Sequence, residues 1–430
     1  MKGAAGKKGF LLLLALVLAA GASACGGSSS GGAAEDGQVE LTFWNTWTEP
    51  IPENEVFLKK VEDFQKQNPH IKIKMEKIPH DQYKIKVKTQ TAGKQLPDLV
   101  QVWPGAELKP LVDAKVIMPI DDIVDHWKDK LIPSEELADY QIDGKQYAIP
   151  GNKVYTSVIF YDKAMLKKAG YKEFPKTYDE FKELIKKLKA EGTIPISLGN
   201  KGKWVLQSCY MSTIGDRITG SDFLDKALKG EKKFTDPDFV RALSIIKELK
   251  DLGAFNEDMN SLDNIQQRDY FVQGKAAMMI EGTWALGPLL ERLPKDRQIG
   301  VAAFPAIEGG KGNANAVSGV TGIGIALNSE LSGEKKEAAH AFLKFFYDEE
   351  LYRQLLSAGS LVPAKVNMPD NLHPLFEEEI KLTSHGTAPV YDAVLPVGLT
   401  DIINNGLQSI TIGSMTPEQL AEEMQRGVNR

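Results

Sequence analysis

Cysteine and histidine are scarce in this sequence, and their scarcity excludes several classes of protein. Only two cysteines, Cys25 and Cys209, occur in 430 residues, so a framework of disulfides is excluded and the fold must rely on packed cores. The six histidines are dispersed and show no H-E-x-x-H or similar metal-binding spacing. We therefore expect neither a metal site nor a cofactor.

Motifs for nucleophilic or nucleotide chemistry are also missing. No G-x-S-x-G elbow follows a predicted strand, since the pattern occurs only within the glycine- and serine-rich residues 26–37, and the sequence contains no G-x-x-x-x-G-K-[ST] loop. Residues 319–324 (GVTGIG) have the wrong glycine order for a dinucleotide fingerprint. Carboxylates are plentiful, so a glycosidase pair stays open, although nothing singles out two of them. We expect a protein that is not an enzyme.

Positive charge is in short supply as well. The net charge is −6, and removal of residues 1–24, which carry three lysines and no acids, moves it to −9. No basic stripe with interleaved aromatic residues occurs. An acidic chain of this kind is a poor partner for nucleic acid, so we expect none.

The first 25 residues have the pattern of an export signal. Three lysines precede an apolar run at 10–20, and the small residues 21–24 then lead to Cys25. Eleven apolar residues are too few to cross about 30 Å of hydrocarbon. The order Ala-Ser-Ala-Cys resembles the bacterial lipobox, whose cysteine carries the lipid. An ordinary cleavage site followed by a chance cysteine remains the alternative.

Residues 26–37 have the composition of a flexible coil, rich in glycine and serine. With Cys25 they predict a lipidated anchor and a tether over 25–37, with a reach of about 20 Å. About 390 residues remain, and this length favours two or three domains.

Alternating segments predict strands and helices in turn beyond the tether. Residues 39–43 and 71–78 alternate as strands, 99–102 is a continuous apolar strand, and 53–67 is an amphipathic helix. Later helices have start signals at Thr177, Asp236 and Thr416. The pattern predicts an α/β protein with largely parallel sheets.

Aromatic residues stand beside polar residues where predicted strands end. The tryptophans at these positions are Trp44, Trp47, Trp103 and Trp284. Ligands bind at the carboxyl ends of strands in open α/β sheets, so these residues are candidate walls of a cleft. An indole matches the apolar face of a sugar ring, and neighbouring Glu, Asn and Thr side chains match its hydroxyls. A core position for each single tryptophan is the alternative.

Three segments resemble bacterial extracellular solute-binding proteins of family 1, which include sugar-binding lipoproteins of ATP-binding-cassette (ABC) importers. Residues 97–103 (PDLVQVW) match an early segment of the family, and 147–163 matches its first crossing between lobes. Residues 271–284 (FVQGKAAMMIEGTW) are the most specific match, close to a block of maltose-binding and related proteins. The similarity covers residues 38–430.

The resemblance implies a two-lobed, periplasmic-binding-protein-like α/β fold with a ligand cleft between lobes joined by several crossovers. The first lobe would contain residues 38–152 and 306–350, and the second 153–305 and 351–430. The crossings would lie near 151–153, 304–305 and 347–355.

Matching the family residue by residue implies a set of ligand-binding residues. Trp284 falls on the stacking tryptophan of the second lobe, and Asn152 on a hinge residue that reaches the ligand. The other expected residues are Glu281, Gly282, Trp204 and Gln207 in the second lobe, and Trp44, Thr46, Trp47, Glu49, Trp103 and Glu107 in the first. Residues 390–395 offer no tryptophan at a third stacking position, which favours another sugar or short oligosaccharide over maltodextrin.

The resemblance also implies partners and a location. The expected partners are a small-molecule sugar, the permease subunits of an ABC importer and the outer face of the cytoplasmic membrane, with the chain itself a monomer. Two alternatives remain open: the same scaffold binding a non-sugar solute, and an exported glycosidase. An anionic ligand would need several converging cations, and only Lys153 and Arg268 are available near the expected cleft.

The lipobox-like order leads to a test of anchoring. We expect Cys25→Ala to release the protein in soluble form, because the lipid would be its only hold on the membrane. Fractionation of cells and medium measures this. A variant that stays in the membrane fraction after a high-salt wash would contradict the assignment of Cys25.

Overall fold

The computed structural model describes residues 38–428. The predicted export signal, Cys25 and the tether lie outside these residues. The strands, in chain order, are β1 (Val39–Asn45), β2 (Ile71–Lys77), β3 (Leu99–Val102), β4 (Ile117–Met118), β5 (Gln141–Ile142), β6 (Lys145–Gln146), β7 (Ala148–Pro150), β8 (Lys153–Tyr155), β9 (Val158–Asp162), β10 (Ile194–Ser197), β11 (Ala276–Glu281), β12 (Ile299–Ala302), β13 (Val317–Thr321), β14 (Gly324–Asn328) and β15 (Thr387–Ala388).

Helices connect most of these strands. They are α1 (Pro52–Gln67), α2 (His80–Gly93), α3 (Lys109–Asp113), α4 (Ser134–Leu137), α5 (Lys163–Lys168), α6 (Tyr178–Ala190), α7 (Ser212–Thr219), α8 (Phe223–Leu228), α9 (Pro237–Asp251), α10 (Asn264–Val272), α11 (Leu286–Arg292), α12 (Gly333–Phe346), α13 (Glu349–Ser357), α14 (Pro374–Thr383), α15 (Tyr391–Val394), α16 (Val397–Thr411) and α17 (Pro417–Val428). A π-helical segment, Leu206–Met211, runs directly into α7. Within the described chain, no helix is long and apolar enough to cross a membrane.

Local sequence signals account for most element boundaries. The strand predicted at 99–102 has these bounds, and all four of its residues are buried. The capping box predicted at Thr177 is confirmed, because Thr177 Oγ1 accepts from the Glu180 backbone N–H (3.3 Å) and Glu180 Oε2 accepts from that of Thr177 (3.2 Å). Thr416 opens α17 in the same way with Gln419.

The first sheet has the order β2-β1-β3-β14-β4, and β7 also pairs with β14. β1 runs parallel to β2 and β3, whereas β14 runs antiparallel to β3, β4 and β7. β14 therefore joins a sheet whose other strands lie far earlier in the chain. Helices α1 and α12 cover one face of this sheet, with Phe57, Phe64, Phe342 and Phe346 in the shared core.

The second sheet has the order β10-β11-β9-β12. Only β10 and β11 are parallel, because β9 runs antiparallel to both of its neighbours. The prediction of largely parallel sheets was therefore wrong: the two large sheets are mixed. A third, small sheet has the order β15-β13-β8, in which β8 follows β7 of the first sheet and β13 follows β12 of the second. The second large sheet packs in its own core with α6, α7, α9 and α17.

A buried carboxyl group in α14 allows a test of how well this helix is shielded from water. The Glu379 side chain is buried, and neither of its oxygens has a hydrogen-bond partner. Burial raises the pKa of Glu379 well above its ordinary value, so the folded protein holds a proton that the unfolded chain releases above about pH 4.3. Burial of Glu379 is therefore tolerated at low pH, where the carboxyl group is protonated in both states. It lowers the free energy of unfolding as the pH rises.

We expect Glu379→Met to raise the melting temperature by about 2–4 °C at pH 8, and by less as the pH approaches 4.5. Scanning calorimetry over this pH range measures the difference. Glu377→Met, on the exposed side of the same helix, is the matched control and should show no such pH-dependent gain. A gain for Glu379→Met that is equal at every pH would refute the burial argument.

Candidate functional site

The protein has two sides, one built on the first large sheet and one on the second. Four aromatic rings form a row where these two sides meet. Trp103 follows β3 and lies 5.4 Å from His80 at the start of α2, measured between ring centroids. The same His80 ring lies 5.4 Å from Trp204, and Trp204 lies 6.1 Å from Trp284. Trp103 and Trp284 each follow the carboxyl end of a strand, as predicted for the walls of a cleft.

The indole of Trp284 is seated on the turn that follows β11. Its Nε1–H donates to Glu281 Oε1 at 2.9 Å. The ring folds back over Gly282, where a Cβ atom would come within 2.1 Å of the indole. Glycine at 282 is therefore required by the close approach of the ring, and residues 281–284 act as one unit that fixes the plane of the indole.

Glu281 is fully buried and is surrounded by donors. Besides the indole, Asn264 Nδ2 donates to Oε1 at 2.9 Å, and Arg268 Nε lies 3.3 Å from Oε2. Burial raises the pKa of Glu281, and the positive charge of Arg268 opposes this rise. Arg268 Nη1 also lies 3.4 Å from Glu49 Oε2, in the loop after β1. One guanidinium thus contacts carboxylates from both sides.

Trp204 makes a second contact between the two sides. Its Nε1–H donates to Asp81 Oδ1 on α2 at 3.2 Å. His80 Nδ1 lies 3.1 Å from the same oxygen, and this contact is the main cause of the lowered pKa of Asp81. The row of rings is therefore tied together at its centre by a carboxylate.

The turn beside Trp103 makes a third contact between the two sides. Lys84 forms an ion pair with Glu107, and its ammonium lies 3.4 Å from the centroid of the Trp103 ring. The turn that carries Glu107 packs on α15 so closely that a Cβ at Gly105 would come within 2.2 Å of the Ala393 carbonyl oxygen. Next to it, desolvation and the charge of Glu107 raise the pKa of Asp392 to about 7.

Asn152 lies at the junction between β7 and β8. Its Nδ2 donates to Glu53 Oε1 at 2.6 Å, and its Oδ1 accepts from the Ile323 backbone N–H at 3.0 Å. Burial raises the pKa of Glu53, while the hydrogen bond from Asn152 lowers it. Glu53, Trp284 and Ser360 line a narrow gap between the two sides, which has room for about one water molecule. Ligand pockets are commonly about 300–1,000 Å³, so the walls are nearly closed on each other.

Two of the predicted tryptophans lie away from this row of rings. Trp47 is buried in the first core, where its ring is nearly parallel to those of Phe57 (4.9 Å between centroids) and Phe346 (6.0 Å). This packing agrees with the core alternative for Trp47, although its indole N–H has no hydrogen-bond partner. Trp44 packs beneath α2 with the Lys86 ammonium 3.9 Å from the ring centroid.

Thr46 and Gln207 have different surroundings. Thr46 is held by Gln101, whose Oε1 accepts from the Thr46 backbone N–H at 2.9 Å. Gln207 lies in the π-helical segment, three residues after Trp204, and its amide is buried without a hydrogen-bond partner. π-Helical turns are frequent at functional sites, and this amide is free to bind a ligand.

Sequence reasoning missed several polar residues of the cleft. They are Glu53, His80, Asp81, Lys84, Asn264 and Asp392. The start of α2 after a strand was the one available signal, and it would have pointed to His80 and Asp81. Among the described residues, no group of three or more His, Cys, Asp or Glu side chains is arranged to hold a metal ion.

Comparison with known sequences identifies relatives across most of the chain. The profile of a family described as bacterial extracellular solute-binding protein matches residues 59–383. The multiple sugar-binding protein of Streptococcus mutans is 27% identical over 337 residues, covering 75% of this chain and 76% of that protein. The maltotriose-binding protein of Pyrococcus abyssi is 27% identical over 338 residues, covering 77% and 67%.

Solved structures have the same architecture. A chitin oligosaccharide binding protein superposes with a TM-score of 0.84 and 25% identity, covering 91% of this chain and 98% of that chain. A maltose-bound protein of T. maritima superposes with a TM-score of 0.76 and 21% identity, covering 91% and 99%. The fold is therefore the two-lobed α/β fold of these proteins.

The raised pKa of Asp392 predicts that closure of the cleft takes up a proton. In an open cleft the carboxyl group leaves Glu107 and regains water, so its pKa should return towards about 4. The closed form is then favoured as the pH falls below 7, and we expect the closed-to-open ratio of the free protein to be roughly tenfold higher at pH 6 than at pH 8.

Small-angle X-ray scattering across this pH range measures the ratio. Asp392→Asn should abolish the pH dependence, whereas Asp225→Asn, at an exposed carboxylate paired with Lys229 on α8, should leave it intact. A pH dependence that persists in Asp392→Asn would assign the proton to another group.

Proposed function

The chain belongs to the bacterial extracellular solute-binding proteins, and we propose that it captures a sugar or short oligosaccharide in the cleft between its lobes for delivery to an ABC importer. Relatives named for multiple sugars, maltotriose and diacetylchitobiose support a carbohydrate ligand. About three in four of the matched residues differ between the chain and these relatives. The sugar that it binds must therefore be determined for this chain itself.

The seating of Trp284 is the observation that carries this proposal. A pyranose has one face of C–H groups, and a fixed indole offers a flat apolar surface of matching size. Glu281 and Gly282 hold the indole in one orientation beside the pocket that both lobes line. Trp204, 6.1 Å away and tilted by 55°, provides a second aromatic wall.

Polar groups around the indoles suit the hydroxyl rim of a sugar. Gln207 has a buried amide without a partner, and Glu53 and Asn152 form a hydrogen-bonded pair at the pocket. Carboxylates and amides accept and donate to hydroxyls with well-defined directions, and they are typical of orienting groups in ligand sites. The cationic side chains are paired with acids here, which disfavours an anionic solute.

The lobes expected from the family resemblance are residues 38–152 with 306–350, and 153–305 with 351–430, and we propose this division with one shift of its last boundary. The separate cores of the two large sheets support this division. Residues of α13 beyond 350 pack in the first core, so we place the last crossing at the end of that helix, near Ser357. β13 pairs with β8 and β15 and would form part of the connection.

Capture then follows from lobe closure. A ligand that contacts both lobes stabilises the closed form by the difference in its affinity for the two forms. The closed spacing of the lobes would be what the permease recognises. The predicted lipid on Cys25 and the tether would keep a monomeric binding protein at the outer face of the cytoplasmic membrane, within reach of that permease.

A panel of named sugars tests the proposal. Diacetylchitobiose, maltotriose, xylo-oligosaccharides, stachyose and galactose, with a polyamine and phosphate as non-sugar probes, should be titrated calorimetrically into the purified chain. We expect one class of sugar to bind and to be recovered unaltered. Binding of a non-sugar probe alone, or recovery of cleaved sugar at catalytic turnover, would overturn the proposal.

Trp284 gives the sharpest single-residue prediction. Trp284→Ala should weaken binding of the sugar identified in the panel by about 2–4 kcal/mol, or roughly thirty- to nearly a thousandfold, because the stacking surface is lost. Trp284→Phe should retain part of the affinity. Calorimetric titration and a melting curve of each variant separate lost contact from lost folding.

The matched control is Trp127→Phe, since Trp127 is a fully buried tryptophan whose indole donates to the Tyr347 carbonyl, away from the cleft. It should lower the melting temperature and leave the dissociation constant unchanged. An unchanged dissociation constant in folded Trp284→Ala would remove Trp284 from the site.

A further inference from the structure

Arg268 lies between two carboxylates that come from opposite walls of the cleft. On α10 its guanidinium is 3% exposed, with Nε 3.3 Å from Glu281 Oε2 and Nη1 3.4 Å from Glu49 Oε2. Glu281 belongs to the end of β11, whereas Glu49 belongs to the loop that follows β1. A planar guanidinium with several N–H donors is able to serve two carboxylates at once, which a lysine ammonium does less well.

Glu281 has partners inside the second lobe: Oε1 is hydrogen-bonded, whereas Oε2 makes an ion-pair contact with Arg268 but no hydrogen bond. Oε1 accepts from the Trp284 indole and from Asn264, both at 2.9 Å, and Oε2 faces Arg268. A shift of the guanidinium therefore moves the carboxylate that holds the indole. Among the described contacts, Arg268 is the residue that touches both Glu281 and Glu49.

We propose that Arg268 is a positioning residue that couples lobe closure to the seating of Trp284, with Glu49 as its closed-state partner. In the closed form the buried guanidinium has carboxylates on two sides. When the lobes part, Glu49 returns to water and Arg268 keeps Glu281 alone. The Glu49 contact thus stabilises the closed form, and the indole is held most firmly when the cleft is shut. The proposal rests on the proposed function only for the role of Trp284 in holding the ligand.

The free protein provides the readout, so the test does not depend on which sugar binds. Two cysteines for spin labels, Glu330→Cys after β14 and Lys232→Cys before α9, lie at exposed positions on opposite lobes. Cys209 is buried and should stay unlabelled, and Cys25→Ser removes the remaining thiol. Distances between the labels give the closed-to-open ratio. The ¹H–¹⁵N indole signal of Trp284, assigned by its loss in Trp284→Phe, reports the seating of the ring.

We expect Glu49→Gln to lower the closed-to-open ratio by about three- to tenfold, the effect of losing a half-buried ion pair, and to shift the Trp284 indole signal. Glu40→Gln is the matched control: this exposed carboxylate lies 4.0 Å from Lys72 within the same lobe, so neither readout should change. Unchanged distances and an unchanged indole signal in Glu49→Gln would overturn the proposal.

A second variant tests whether Glu49 acts through Arg268. Arg268→Lys keeps the charge but loses the fork that spans two carboxylates, so it should also lower the ratio. Glu49→Gln should then have less than about half of its original effect in the Arg268→Lys background. Additive effects would mean that Glu49 acts independently and would contradict the coupling. If no sugar in the panel binds, the proposed function fails while these distances still decide the present proposal.

Discussion

The buried carboxylate of Glu281 fixes the geometry of the cleft. A carboxylate that is fully removed from water is tolerated only when donors and a cation surround it, because its desolvation costs several kcal/mol. Glu281 finds these partners in Trp284, Asn264 and Arg268, and they come from two different elements of the second lobe. Because the Trp284 indole is one of these donors, the hydrogen bond to the buried carboxylate fixes the plane of its ring. Gly282 completes the arrangement by leaving room for the ring.

The same requirement extends across the cleft. In the proposed division into lobes, three contacts cross the cleft: Arg268 reaches Glu49, Trp204 reaches Asp81, and Glu107 faces Asp392. The Arg268–Glu49 and Trp204–Asp81 contacts favour closure. The two carboxyl groups of Glu107 and Asp392 oppose it unless one of them holds a proton. Closure is therefore a balance of small electrostatic terms, which a ligand that contacts both lobes is able to shift.

Local patterns predicted the elements, but not how distant segments combine. The bounds of β3 and the capping boxes at Thr177 and Thr416 follow from neighbouring residues, and they were predictable. The antiparallel insertion of β14 next to β3 depends on pairing across more than 200 residues, for which no local signal exists. Trp47 and Trp284 look alike in sequence, since each stands beside a polar residue after a strand. Only the packing of the folded chain distinguishes them: Trp47 packs beside phenylalanines in the first core, and Trp284 lines the gap between the two sides.

The central claim is that a sugar is captured between the lobes with one ring on Trp284. A crystal structure of the chain with the tightest-binding sugar of the panel tests this claim most directly. It should show one sugar ring stacked on the Trp284 indole, with hydroxyls bonded to side chains of both lobes and the Glu281–Trp284 hydrogen bond intact. A sugar bound to one lobe only, or bound away from Trp284, would contradict it.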